Sequence, residues 1–217
     1  MSDSKLKNTH FQWLLLAILV ALVSAVAGVS MWFAMHKGEN YSPTATLMVL
    51  PEPRVIADFA LTDHNGQSFN LDKLRGQWSL IFFGFTHCPD VCPNTLYDLA
   101  VINENLKRAD EEEPPGHQVI FVSVDPERDT PELLSQYVSY FDPDFIGASG
   151  REEQLAALTM QLGIAYRIEE HEQGGKNYDV FHSASILLTD PQGRLFGAFP
   201  APHEAEKMAE DLAALID

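Results

Sequence analysis

No charged side chain occurs between Phe11 and Met35, and this stretch divides the chain before anything else is read from it. Its one strongly polar side chain is Gln12, at the edge. About twenty apolar residues in a helix span the hydrocarbon layer of a bilayer. Trp13 and Trp32 lie near the two ends, where aromatic rings favour the interface. A buried core helix of this length would carry a polar face, and none is seen. Ala25-Val26-Ala27 has the small-x-small form of a signal-peptidase site, but the apolar run continues past it through Phe33. The expectation is therefore an uncleaved single-pass anchor over 11–35. Lys5 and Lys7 hold 1–10 back as a short cytoplasmic tail, with the rest of the chain across the membrane. No Arg-rich, Ser-rich transit peptide precedes the run, which points to a bacterial inner membrane with the soluble domain in the periplasm.

After the anchor, 36–53 reads as a linker rich in Gly, Asn, Ser and Pro, and 54–217 as the folded domain. Phe59–Leu61 and Ser68–Asn70 flank His64-Asn65-Gly66, a hairpin signal. Trp78–Phe85 is a continuous apolar run, as in a buried central strand. Leu96, Leu99, Ala100, Asn103 and Leu106 recur at helical spacing between Pro93 and Arg108. Val119–Val124 reads as a second buried strand, and Asp129-Thr130-Pro131-Glu132 as a helix start. Ser149 with Glu152 has the form of a capping box for a helix ending near Leu162. Strands are expected over Ile164–Glu170, Ser185–Thr189 and Leu195–Phe199, and an amphipathic helix over Glu204–Ile216. A βαβ core closed by a hairpin and a helix gives an α/β domain of the thioredoxin-like type.

The domain's chemistry is narrowed by charge and by cysteine count. With 31 acidic and 14 basic residues the formal net charge is −17, which excludes nucleic acid as a partner class, since phosphate binding rests on Lys and Arg. The chain has two cysteines, Cys88 and Cys92, too few for a disulfide-stapled scaffold. They sit in GFTHCPDVCP, Gly84–Pro93, where a buried strand passes into a helix. Backbone N–H groups and the positive helix end favour thiolate there. A spacing of four turns both sulfurs to one side of a helical turn, so they could chelate one ion or close a disulfide.

Soft thiolates select soft metals, copper(I) foremost, and two sulfurs leave a trigonal site one ligand short. Zinc would want a fourth ligand. A histidine is the natural third donor. His36, His64, His117 and His171 fall in linker, turn, loop and polar segments where solvated roles suffice. His182 precedes an apolar strand and leads the remaining three, with His87 and His203 behind it.

The same residues resemble the Sco/SenC family of copper proteins, which help assemble cytochrome c oxidase. GFTHCPDVCP is similar to its Cys-x-x-x-Cys signature, while SVDPERDTP at Ser123–Pro131 and DPDFIG at Asp142–Gly147 resemble its middle region. Tyr178–Ser183 resembles its histidine-bearing segment. The likeness runs from about Pro53 to the C-terminus. It implies a thioredoxin-like fold that binds copper(I) and copper(II) through Cys88, Cys92 and His182. It also implies a role in metalating the dinuclear copper site of the oxidase, or in reducing that site's cysteines as a thiol–disulfide oxidoreductase. The implied partners are the copper-site subunit of the oxidase, a copper donor and a thioredoxin-like reductant. Many members carry an acidic residue directly before the histidine, where this chain has Phe181. Against the oxidoreductase reading, three residues separate the cysteines and no proline occurs between Val180 and Ser185. A peroxiredoxin-type reading would want Thr three residues before the reactive cysteine, where Phe85 and Pro89 stand.

Overall fold

The apolar run at Trp78–Gly84 becomes the centre of the domain's main sheet, because both its faces are covered. The computed structural model describes residues 46–109, 116–172, 174–175 and 177–216, with 24, 25 and 28 besides. Apart from those three residues, the run at 11–35 lies outside the described residues. No helix among them is long and apolar enough to cross a membrane.

In chain order the strands are β1 (Met48–Val55), β2 (Ala60–Asp63), β3 (Ser68–Asn70), β4 (Trp78–Gly84), β5 (His117–Ser123), β6 (Ile146–Ser149), β7 (Tyr166–Ile168), β8 (Val180–His182), β9 (Ile186–Thr189) and β10 (Arg194–Phe199). The α-helices are α1 (Val91–Ala109), α2 (Pro131–Phe141), α3 (Glu152–Leu162) and α4 (Ala205–Ile216). Eight strands form one sheet in the order β1-β10-β9-β4-β5-β6-β2-β3. β4, β5 and β6 run parallel, and β9 joins β4 antiparallel. Both parallel crossovers are right-handed by the usual rule, so α1 and α2 cover the same face. α1 lies against α2 and α4, and α2 against β6. The continuous hydrophobicity of β4 and β5 follows: Leu80, Phe82, Phe83, Ile120 and Phe121 are fully buried.

Local chemistry sets the boundaries. Asp63 accepts from the N–H groups of Asn65 and Gln67, closing the β2–β3 turn, where Gly66 takes φ 74°. Thr130 caps α2 by accepting from Leu133 N–H, with Pro131 at the first helical position. α1 begins two residues earlier than its apolar period indicates. Asp90 holds Asn94 through side chain and backbone, and Pro93 is tolerated because first-turn N–H groups need no intrahelical acceptor.

Several expectations are corrected. Residues 48–53, read as the end of the linker, belong to β1, which pairs with β10; the Pro in this edge strand had suggested coil. Ser149 caps nothing: it ends β6, and its hydroxyl donates to Ser123 carbonyl, while Arg151 is the N-cap of α3. The strand expected at Ile164–Glu170 shrinks to β7 and pairs with β8 in a separate two-stranded ribbon, an element too short to show a period.

Candidate metal centre

β4 delivers the backbone to Gly84, and the chain then turns through Phe85–Asp90 into α1. Cys88 N–H donates to Phe85 carbonyl at 3.3 Å, and Cys92 N–H points at Cys88 Sγ at 3.4 Å. Both thiols are free; Cys88 is half-buried and Cys92 is buried. The absence of a side chain at Gly84 makes room for the inner sulfur. A Cβ there would lie 2.7 Å from Cys92 Sγ and 2.8 Å from Phe121 Cε2. The outer part of the turn is held by Asp129, a buried carboxylate. It accepts from Thr86 N–H (2.9 Å), Thr86 hydroxyl (2.6 Å) and Ser123 hydroxyl. Such a group satisfies two donors of a loop that has no ladder to join and ties that loop to the end of β5.

His182 closes the site from the ribbon. In β8, Val180 is buried and Phe181 exposed, and the alternation turns His182 back inward. Its Nε2 lies 3.3 Å from Cys92 Sγ, and its Nδ1 lies 3.0 Å from Ser183 carbonyl. The second contact fixes Nδ1 as the protonated nitrogen and leaves the Nε2 lone pair for a metal. Phe82 and Phe85 meet the imidazole edge-on at 5.8 and 5.9 Å. One donor atom from each of Cys88, Cys92 and His182 lies within 4.8 Å of the others, as no other group of three does among the described residues. Ligands bound at about 2.0–2.3 Å around a trigonal ion stand roughly 4 Å apart, so the group needs only small adjustments.

The electrostatics favour a metal over a bare thiolate. Burial pushes the Cys92 thiol up; the backbone hydrogen bond at Phe85 opposes this, and Cys88 and Asp129 add to it. Burial pulls His182 down, so its imidazole is neutral near pH 7, with the Ser183 hydrogen bond opposing. A cation entering here meets a neutral nitrogen and displaces protons from sulfur.

A second cluster, which sequence reasoning missed as a unit, pins the ribbon. Asp125 is fully buried, accepts from Tyr178 hydroxyl at 2.6 Å and pairs with Arg128. The Arg128 guanidinium lies 3.7 Å over the Tyr178 ring and donates to Tyr178 carbonyl at 3.1 Å. His171 stacks on the same ring at 3.7 Å and meets Glu127 at 3.0 Å. The signal was the density of charge in SVDPERDTP, immediately after a buried strand.

The other histidines lie elsewhere. His87, considered as a ligand, turns towards Thr86 hydroxyl (3.0 Å) and Asp129 (3.7 Å). His203, also considered, is half-buried beside Asp98, Phe199 and Ala184. His117, expected in a solvated loop, is instead buried at the start of β5, with Nε2 2.8 Å from Asn103 Oδ1. His64 accepts from Gly147 N–H, and His36 lies outside the described residues. Phe181 is 52 % exposed and stacks under Arg167 at 4.8 Å, its cross-strand neighbour in the ribbon. Cys88, Phe181 and His182 share the lining of an open cavity of about 450 Å³.

The family model described as SCO1/SenC matches residues 49–217. The chain belongs to the SCO1/SenC family. A Stutzerimonas stutzeri protein named for copper binding is 36 % identical over 173 residues, covering 80 % of this chain and 82 % of its own. A Rickettsia conorii SCO2-like protein is 32 % identical, covering 90 % and 93 %. Among solved structures, copper-bound ScoI of Bradyrhizobium japonicum superposes with a TM-score of 0.63 at 35 % identity, over 72 % of this chain and 96 % of that one. Copper-bound ScoI of Arabidopsis thaliana gives 0.65 at 30 % identity, over 72 % and 94 %. The SCO1/SenC architecture thus covers the thioredoxin-like domain, site included.

Proposed function

We propose that this SCO1/SenC protein carries copper as cargo, bound by Cys88, Cys92 and His182. The observation that carries the reading is the convergence of two thiols and one neutral imidazole within 4.8 Å, in a chain whose relatives include copper-bound proteins. Two thiolates and one nitrogen suit copper(I), and copper(II) tolerates the same set with further ligands. A Cys88–Cys92 disulfide removes both sulfurs and is the off state. The recipient we propose is the copper-site subunit of cytochrome c oxidase. A donor protein loads the site, and a thioredoxin-like reductant restores its thiols. The family resemblance supports this, as does a cargo site that opens to solvent at Cys88. An anchor over 11–35, expected from its charge-free run, would put this delivery at the periplasmic face of a bacterial inner membrane.

Titration of the full chain against a competing copper(I) chelator tests the site. Reduced protein is expected to bind one copper(I) and the disulfide form none of comparable strength; equal affinity would show that the sulfurs are not ligands. Copper content of the oxidase in a deletion strain tests the recipient, and an unchanged content would remove it.

A further inference from the structure

Both ring nitrogens of His171 face oxygens that accept hydrogen bonds. Nδ1 lies 2.8 Å from Glu169 carbonyl, and Nε2 lies 3.0 Å from Glu127 Oε2. A neutral imidazole carries one N–H and serves one of them; an imidazolium serves both. The surroundings suit the charge. Glu127, Glu152, Glu169 and Glu170 line one open cavity of about 440 Å³ together with His171 and Tyr178. The Glu169 carbonyl first, then the Glu127 carboxylate, with Asp125 behind them, hold the imidazole above its ordinary pKa, against some desolvation.

The ring also has a mechanical place. It stacks on Tyr178 at 3.7 Å, 14° from parallel, while the Arg128 guanidinium lies 3.7 Å over the same ring. Two groups at that distance cannot share a face, so Tyr178 is held between two cations, with its hydroxyl donating to Asp125. Tyr178 and Val180 are buried and His182 half-buried, while Asp179 and Phe181 between them are exposed. Fixing Tyr178 therefore fixes the side from which His182 approaches Cys92. We propose that His171 is a positioning residue for His182: its imidazolium clasps the tip of the β7–β8 ribbon to the loop after β5, and so sets how often the third donor lifts from the thiols. The inference rests on the copper reading above. Below the ordinary histidine value of about 6.5 the clasp is complete. As pH rises through the raised value, the ring gives a proton to solvent, one nitrogen turns a lone pair towards an oxygen, and the fastening is lost.

Hydrogen exchange on the metal-free full chain reads the clasp at Glu169 and Ser183, whose N–H groups donate to Asp179 and Ala165 carbonyls at the two ends of the ribbon. Corrected for intrinsic rates, protection in the parent is expected to fall about three- to fivefold from about pH 6 to about pH 9, the scale of an ion pair whose carboxylate is open to solvent. His171→Gln keeps a donor without the charge and should show the lower protection throughout. His171→Arg keeps a planar cation and should show the higher. Loaded with copper(II), His171→Gln should lose the metal to excess chelator about three- to fivefold faster than the parent at about pH 6, and at the parent's rate at about pH 9. A parent profile that is flat, with His171→Gln lowered equally at every pH, would assign His171 to packing and overturn the proposal. Protection and copper loss that ignore every substitution would overturn it too. A parent chain that binds no copper would remove the proposed function and the positioning role with it; a copper-binding parent whose ribbon ignores His171 removes this inference alone.

Discussion

Gly84→Ala tests whether the gap above the last residue of β4 is what seats the inner sulfur. The added Cβ would stand 2.7 Å from Cys92 Sγ and 2.8 Å from Phe121 Cε2, against ordinary contact at 3.4 Å or more. The sulfur must then retreat by about 0.7 Å, and the ring by about 0.6 Å, if the strand holds still. Neither has an easy route: Phe121 is fully buried, and Cys92 is on the first turn of α1. Overpacking of this kind costs about 1–3 kcal/mol. In urea that moves the midpoint down by roughly 0.5–2 M for ordinary slopes. Displacing a ligand by a large fraction of an ångström should weaken copper(I) by about 10- to 100-fold, as loss of a ligand's supporting partner does. Gly150→Ala is the control. Its Cβ would also meet an atom at 2.7 Å, but that atom is Cδ2 of Leu61, the far end of a flexible side chain, so copper affinity should hold. Both variants are compared by urea unfolding and chelator competition. If Gly84→Ala loses stability but keeps parental affinity, or loses neither, Cys92 is not seated as described.

Three further outcomes are expected. His182→Ala should keep measurable copper(I) binding through two thiolates and lose most stable copper(II) binding with its thiolate absorption, while His87→Ala and His203→Ala change little; an unmoved His182→Ala spectrum contradicts the ligand set. Because burial holds Cys92 protonated through pH 6–8, each copper(I) bound expels at least one proton, and apparent affinity should rise about tenfold per pH unit; a flat profile would show that no proton leaves. Arg128→Ala should cost about 3 kcal/mol in unfolding, since it strands the buried Asp125 carboxylate, and should weaken copper(II) by loosening the ribbon; parental unfolding would show the cluster to be idle.

The parts of the molecule that the sequence exposed were those written in long periods or in close spacing. β4, β5, α1, α2 and α4 followed from apolar runs and helical spacing, with boundaries within a few residues. Cys88 and Cys92 stood out because a thiol pair at a strand-to-helix junction has few other uses. β1 and β8 were hidden. β1 carries prolines and pairs only at the sheet edge, and β8 is three residues long, too short for alternation to register. Its place before an apolar strand ranked His182 first without excluding His87 and His203, and the family resemblance separated the three, because the approach to Cys92 is made across 90 residues of chain. The Asp125–Arg128–Tyr178 cluster and the Gly84 gap were invisible for a related reason: each is a relation between distant positions, and a single chain prints only one member at a time.

The ribbon of β7 and β8 has one more implication. Two donors ride on the main sheet's own loop and helix, but the third rides on a flap that shares no ladder with that sheet and is fastened to it by aromatic stacking and a buried ion pair. Copper bound across the two parts, as proposed, would act as a rivet. The flap's hydrogen exchange should slow when metal is present, and withdrawing the imidazole to admit a recipient's donor asks only that the flap lift, with the sheet left intact.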